Sequence, residues 1–512
     1  MSLSYFEYNP QELNPQYLED LATGYWFSEV LFTAVEMEIF TFLEAGGMSA
    51  VELGEALDVN VDGLKRFMQA LLSLGLVSCT DGNYYNSALS SAYLVVGGEN
   101  YQGDSILWRK TLTSGWRDLQ SCLKNGGRVE YSPDDEQQLV QRVRKYIKAM
   151  DCVAKTKVLE MLPLFTNVNI KGQILDVGAG SGAIAAGFLR KFPGTRATLM
   201  DLPWTLDYTK ELMADVGLAD RVTCCQANFL EDWPVEDSFD LIILSNIVHA
   251  CSETEISHVL AQAAQCLKTD GYVLIHDFFL QHHPAKAALF DLNMMINTYN
   301  GKVFSHHWVQ EELARLGLHA TDFIPLETDT GMIIAANDEQ PLVNLRLDKK
   351  SILMGGIREQ GFKVYPVRTD QIYVADWTNL KCQFGCSSYG AGNCPPHSPS
   401  PGQTRAVLAD YTQALLLEGE PPTRSFQQNV LEAEKKAFKS GFHKAFVYWA
   451  GPCSLCPACN SDKTCHSPKT SRPSMEGAGI DVFATVRQAG LKLRTLEEAN
   501  EFVKYFALLL LE

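Results

Sequence analysis

Three patterns predict a multidomain chain of three parts: an α-helical, winged-helix-like N-terminal domain, a Rossmann-like α/β domain, and a Cys-rich α+β metal-binding domain. They are helical periodicity closed by an Asp-Gly turn in the first hundred residues, strand and helix signals alternating around a Gly-rich loop, and seven cysteines gathered between Cys382 and Cys465. The expected bounds are 1–105, 106–340 and 345–512, with the polar, Pro-containing segment 337–350 as the last boundary.

In the first part, residues 25–44 carry continuous helical periodicity. Ser49, with Glu52 three residues on, reads as a capping box. Residues 61–77 read as a second amphipathic helix with Asp62 at its N-cap, and Asp81-Gly82 as a hairpin turn. Helices followed by a hairpin form a winged-helix pattern. Its candidate recognition helix offers only Lys65 and Arg66, so DNA reading is disfavoured. The long apolar helix before it suits a subunit interface, and a homodimer through this part is expected.

The sharpest segment is QILDVGAGSGAIAAGFLRKFP (173–193). A short buried strand ends at Asp176, Gly178, Gly180 and Gly182 make the turn, and a helix follows. Such glycines let a ligand approach the backbone, and the helix N-terminus faces it. Asp201 closes the next strand, 197–203, where a ribose-hydroxyl acceptor is placed in nucleotide-binding sheets. Up to this point NAD and S-adenosylmethionine both fit, although the dinucleotide pattern Gly-x-Gly-x-x-Gly is met only in relaxed form, with Ala183 at its third glycine place. Further strands are expected at 221–229, 239–250, 271–279 and 331–337, making six or seven in all, with His249 just past the end of the fourth.

Composition bounds the function classes. Of 512 residues, 46% are hydrophobic and 20% charged, which is ordinary globular composition. Asp plus Glu number 61 against 43 Lys plus Arg, a net charge of −18, which argues against non-specific binding to DNA or anionic membrane. No apolar run approaches the roughly 20 residues of a membrane span, and the opening residues show neither a basic nor an apolar leader segment. A cytoplasmic, reducing location is expected. Seven of the 14 cysteines, scattered before residue 300, read as core or loop thiols.

The other seven read as metal ligands. One set is Cys382, Cys386 and Cys394, followed by Pro-Pro-His397; the other is Cys453, Cys456, Cys459 and Cys465, followed by His466. Four thiolates in 13 residues can converge on one ion or cluster. A [4Fe–4S] cluster on the second set is the favoured reading, with structural zinc the alternative; the first set then has three cysteines with His397 or an open site.

With LDVGAGSG, MDLP, the Asn228-Phe229 pair, NIVH ending at His249, and LKTDGYVLIHD in place, residues from about 20 to 337 resemble the S-adenosylmethionine-dependent O-methyltransferases of the caffeate, acetylserotonin and hydroxyneurosporene type. The resemblance implies a winged-helix dimerisation domain, a class I methyltransferase domain, S-adenosylmethionine as cofactor and a small-molecule acceptor. Asp176, Gly178 and Gly180 match the loop around the methionine part, Asp201 the ribose acid, and Asn228 with Phe229 the adenine position, where an Asp is usual. Tyr146 and Met150 match a helix lining the pocket, and His249 matches the general base. The blander reading of His249 is a structural histidine at a strand end.

Two departures stand out. Ala250-Cys251 replace the family's Asp-Trp after the base, and Val303 and Phe304 stand where the acid that orients the base is usual. His306 and His307 lie close by in the sequence. A base without an orienter suits a thiol acceptor: ionising a phenol at pH 7 costs about 4 kcal/mol, a thiol about 2 kcal/mol. Met294 and Met295 are candidate acceptor-pocket residues, more readily read as core. The C-terminal part resembles a family of predicted metal-binding proteins with the same Cys spacing, whose chemistry does not carry over. Two readings follow: a methyltransferase with an iron–sulfur or zinc appendage, or an iron–sulfur reductase that uses the methyltransferase fold as a binding platform and takes electrons from a donor.

Overall fold

The computed structural model describes residues 15–129, 136–235, 238–420, 423–457, 459, 465–493, 495 and 504–512. Two units divide between Leu347 and Asp348.

In the first unit, helices 25–36 and 39–44 replace the single expected helix, because Glu38 adopts a left-handed backbone (φ 52°) between them. Ser49 and Glu52 form the capping box of helix 50–57. Helix 61–73 is capped by Asn60, whose side chain accepts from Gly63 N at 2.9 Å. Asp62 therefore sits inside the first turn and is not the cap. Strand β1 (Met48–Ser49) pairs with a hairpin of β2 (Val77–Thr80) and β3 (Asn83–Asn86). Its turn, Asp81 (φ 51°) and Gly82 (φ 84°), has the double positive φ that matches strand twist.

The α/β sheet comprises β4 (Gln173–Val177), β5 (Arg196–Asp201), β6 (Val222–Gln226), β7 (Phe239–Ser245), β8 (Leu267–Asp277), β9 (His319–Ala320), β10 (Ile324–Pro325) and β11 (Gly331–Ala336). Their order is β10-β11-β8-β7-β4-β5-β6, with β9 beside β11. Two-residue strands β9 and β10 take the count to eight, one beyond expectation. β6 to β8 run parallel through β4, and β11 returns antiparallel to β8. Both faces are covered: Ile174 packs with Phe165 and Phe188, while Leu175 and Val177 pack with Ile242 and Val273 on the other side. Full burial of each such side chain contributes about 1.5–3 kcal/mol. Strand order reverses at β4, between β5 and β7, and there the carboxyl ends open a crevice for ligand.

The second unit is α+β. β12 (Lys363–Arg368), β13 (Gln413–Gly419), β14 (Phe446–Tyr448) and β15 (Tyr505–Leu510) form an antiparallel sheet in the order β12-β13-β15-β14. Leu415, Leu417 and Leu509 pack under helices 349–358 and 423–439; Leu416, Leu508 and Leu510 face Met475 and Val486. The cysteine loops hang from this frame. Among the described residues no helix is long and apolar enough to cross a membrane.

Candidate active site and candidate metal centre

The carboxyl ends of the five parallel strands, β4 to β8, lie along one edge. After β4, Gly178, Gly180 and Gly182 all have positive φ (62°, 55° and 77°). A Cβ on Gly178 would lie 2.3 Å from Ile247 Cδ1, so the loop closes only with glycine there. Gly180 N donates to Asp201 Oδ2 (2.9 Å) and Leu202 N to Oδ1 (2.7 Å). Asp176 is buried at the end of β4 and accepts from Ala185 N in the following helix at 3.3 Å. Burial pushes its pKa up to about 8 against that hydrogen bond, with Asp201 adding to the rise. Burial also raises Asp201, against hydrogen bonds from Gly180, Leu202 and Thr205.

Asn228 Oδ1 accepts from Leu230 N (3.1 Å) and its amide donates to Glu231 (3.2 Å), capping the turn after β6. Phe229 lies 3.6 Å from where a Gly178 Cβ would stand. Tyr146 and Met150 share a face of helix 136–161, and the Tyr146 ring meets Trp108 edge-on at 5.3 Å. Asn246, at the end of β7, has a left-handed backbone (φ 57°), and its Oδ1 is buried without a hydrogen-bond partner.

His249 follows in the turn after β7. Its Nδ1 lies 2.5 Å from Asp277 Oδ1 at the end of the neighbouring β8. Asp277 is fully buried and also accepts from the His249 and Phe278 backbone amides, at 3.1 and 2.7 Å. An acceptor so surrounded by donors requires the proton on Nδ1, which leaves Nε2 as the basic nitrogen. Stacked Phe278 and Phe290 (3.8 Å) flank the imidazole.

The expectation that His249 has no carboxylate beside it is thus corrected: Asp277 of β8, not the segment 300–308, meets its ring. Val303 and Phe304 are buried core residues. His306 is buried and stacks on Phe323 (4.7 Å), capped away into the helix 306–315. Cys251 is buried, donates to Ile247 O, and has its pKa pushed up to about 12 by burial, so it is a neutral core thiol. Met294 is buried and Met295 half-buried.

Asp277 is the last residue of the segment LKTDGYVLIHD, which forms β8. The available signal was an acid closing the strand beside the one that leads to His249.

In the second unit, helix 378–385 carries Cys382 and presents Cys386 at its end, and Cys394 follows in a tight loop. Burial pushes Cys394 up to about 11, reinforced by Cys386, Cys382, Cys453 and Cys459. Cys453 is likewise raised by burial and by Cys465, Cys456 and Cys459. Cys382 is raised by burial, Cys386 and Glu476. All seven thiols therefore share one neighbourhood, and a Cβ on Gly392 would lie 2.9 Å from Cys465 Cβ. Thiols gathered in this way are a donor set that binds metal as thiolates, with release of their protons. Among the described residues no three of these sulfurs lie within 4.8 Å of one another.

Side chains missed in the sequence hold the loops. Gln427, fully buried, donates to Ala450 O (3.3 Å) and Pro452 O (2.9 Å) and accepts from Ser454 N (2.9 Å). Glu434 pairs with Arg472, and Asn393 donates to Arg472 O at 2.7 Å.

Comparison with known proteins bears on both units. The O-methyltransferase dimerisation domain family matches residues 19–96, the O-methyltransferase domain family 125–317, and a family described as predicted metal-binding protein 365–511. The chain is similar to 3-hydroxy-5-methyl-1-naphthoate 3-O-methyltransferase of Streptomyces sahachiroi, 28% identical over 57% of this chain and 86% of the relative. It is also similar to acetylserotonin O-methyltransferase of Bos taurus, 26% identical over 55% and 86%. The solved human N-acetylserotonin methyltransferase in complex with SAM shares the fold, with a TM-score of 0.57 and 22% identity over 64% of this chain and 99% of that one.

Proposed function

We propose that this chain, an S-adenosylmethionine-dependent methyltransferase of the O-methyltransferase family with a predicted metal-binding C-terminal domain, methylates a small-molecule hydroxyl or thiol with His249 as general base. The observation that carries this reading is the His249 Nδ1–Asp277 contact at the same strand edge as the glycine loop.

When bound, the cofactor supplies an electrophilic methyl group on a sulfonium. The chain's own residues do the rest. Gly178 and Gly180 leave room for the methionine part, Asp201 accepts from the ribose, and Asn228 keeps an amide oxygen for the adenine amino group. A positive ligand beside Asp176 offsets the burial that disfavours its charge. Tyr146 and Met150 wall the pocket on the helix side, and Phe229 on the loop side.

Nε2 of His249 takes the acceptor's proton as its oxygen or sulfur takes the methyl group. Asp277 holds the ring and stabilises the imidazolium that forms. With an oriented base, the cost of about 4 kcal/mol for a phenol is within reach, so hydroxyl acceptors stand beside thiols.

The first unit dimerises through its helical domain. Leu21, Tyr25 and Trp26 are exposed there, 50–63% open, as an interface surface requires.

Cys382, Cys386, Cys394, Cys453, Cys456, Cys459 and Cys465 hold metal. Iron–sulfur is favoured over zinc, because Cys453, Cys456, Cys459 and Cys465 supply within 13 residues the four thiolates that a [4Fe–4S] cluster takes. A redox-active cluster implies an electron donor. The reductase alternative drew on a base lacking its orienter, and Asp277 removes that ground.

The test is methyl transfer from labelled cofactor to a panel of phenols and thiols by wild type and His249→Ala. Transfer that needs His249 supports the reading; cofactor binding with no His249-dependent transfer overturns it.

A further inference from the structure

The first cysteine set lacks a fourth thiol. Cys382, Cys386 and Cys394 line one cavity of about 280 Å³, faced by Gly451, Pro452 and Glu476. His397, the sequence candidate for the fourth position, is exposed and does not line it.

Glu476 is held at this wall by the backbone. Trp449 N donates to Pro473 O (3.1 Å) and Met475 N to Trp449 O (2.8 Å), which sets 473–477 beside the segment leading to Cys453. Hydrogen bonds from its own backbone, the Gly451 backbone and the Ser474 side chain reach its carboxylate. Its Oε2 is buried and makes no direct hydrogen bond. The two other charged side chains on the cavity are occupied: Lys381 sits over the Trp377 ring at 5.2 Å, and Asp481 caps helix 482–488 through Ala484 N. A buried carboxylate oxygen without a donor is costly unless a cation meets it.

We propose that Glu476 is the fourth protein ligand of the metal centre held by Cys382, Cys386 and Cys394, while Cys453, Cys456, Cys459 and Cys465 hold a separate four-thiolate centre. The assignment rests on the metal-binding reading of this unit and not on which metal it holds. A carboxylate is a harder ligand than a thiolate, so a metal atom held by Glu476 would be the more readily exchanged one.

The full chain, purified anaerobically as wild type, Glu476→Ala, Glu476→Cys and His397→Ala, is assayed for iron, zinc and acid-labile sulfide, with EPR and Mössbauer spectra. For two [4Fe–4S] clusters the wild type carries about eight irons. Glu476→Ala is expected to lose about one iron per chain and, on oxidation, to show the EPR signal of a three-iron cluster. Glu476→Cys is expected to keep full content with a more thiolate-like spectrum, and His397→Ala to match the wild type. Unchanged metal content and spectra in both Glu476 variants would overturn the assignment, as would metal loss confined to His397→Ala. Because Glu476→Cys keeps a ligand, it decides the matter even if circular dichroism shows the alanine variant misfolded. Zinc without sulfide in the wild type overturns the iron–sulfur reading alone; zinc lost or retained in Glu476→Ala then decides Glu476.

Discussion

Asp277 Oδ1 stands 2.5 Å from Nδ1 of His249; Asp277 closes β8, and His249 lies in the turn after the neighbouring parallel strand β7. The pair separates two tasks: one nitrogen is tied to a buried carboxylate, the other is left basic. Replacing His249 with Ala should lower kcat about 10²–10⁴-fold while cofactor affinity stays within twofold. Asp277→Asn should lower kcat by about 10–10³-fold, with phenols losing more than thiols. Stopped-time methyl transfer and calorimetric cofactor titration measure both; equal loss for phenols and thiols would remove the orienting role.

Gly178 is constrained twice, by its positive φ and by Ile247 Cδ1 at 2.3 Å from a built Cβ. Gly178→Ala should cost about 1–3 kcal/mol of stability and abolish measurable cofactor binding. Adding Ile247→Ala should recover stability in part, because the clash is relieved while the φ strain persists. Thermal unfolding of the single and double variants checks this; no recovery would place the whole cost in the backbone.

Asp176 gives a pH dependence with a definite sign. Its folded pKa, about 8, lies above its unfolded value of about 3.9. Between these values the native state holds a proton that the unfolded state has released, so ligand-free stability declines as pH rises from about 4 to about 8. Asp176→Asn should flatten that slope. Affinity for the cationic cofactor should rise across the same range in the wild type, as the carboxylate ionises. Melting curves and titrations at pH 5, 6.5 and 8 decide it, and a parallel slope in the variant refutes it.

The exposed Leu21 and Trp26 predict that Leu21→Glu with Trp26→Glu converts a dimer to a monomer in analytical ultracentrifugation. Persistence of the dimer would place the interface elsewhere.

Gln427 fills three backbone partners around the loop that leads to Cys453. Gln427→Leu leaves those groups unpaired, at about 1–3 kcal/mol each where burial persists. The variant should release metal to a chelator faster than the wild type while methyl transfer by the first unit is retained. Equal release rates would show that Gln427 supports the fold and not the centre.

Much of the fold is local and was therefore legible in the sequence. The glycine loop, the capping box at Ser49, the Asp81-Gly82 hairpin and the turn that carries His249 after β7 depend on contacts a few residues apart, where backbone sterics decide. Cysteine spacing likewise marks both candidate ligand sets. What tertiary structure decided depends on distant neighbours. Asp277 meets His249 across 28 residues only because β7 and β8 pair in parallel. Glu476 reaches the Cys382 cavity, and Gln427 the Cys453 loop, through pairings that no local pattern encodes. A titratable side chain's role is set by which groups bury it and which donors reach it, and both are products of long-range packing.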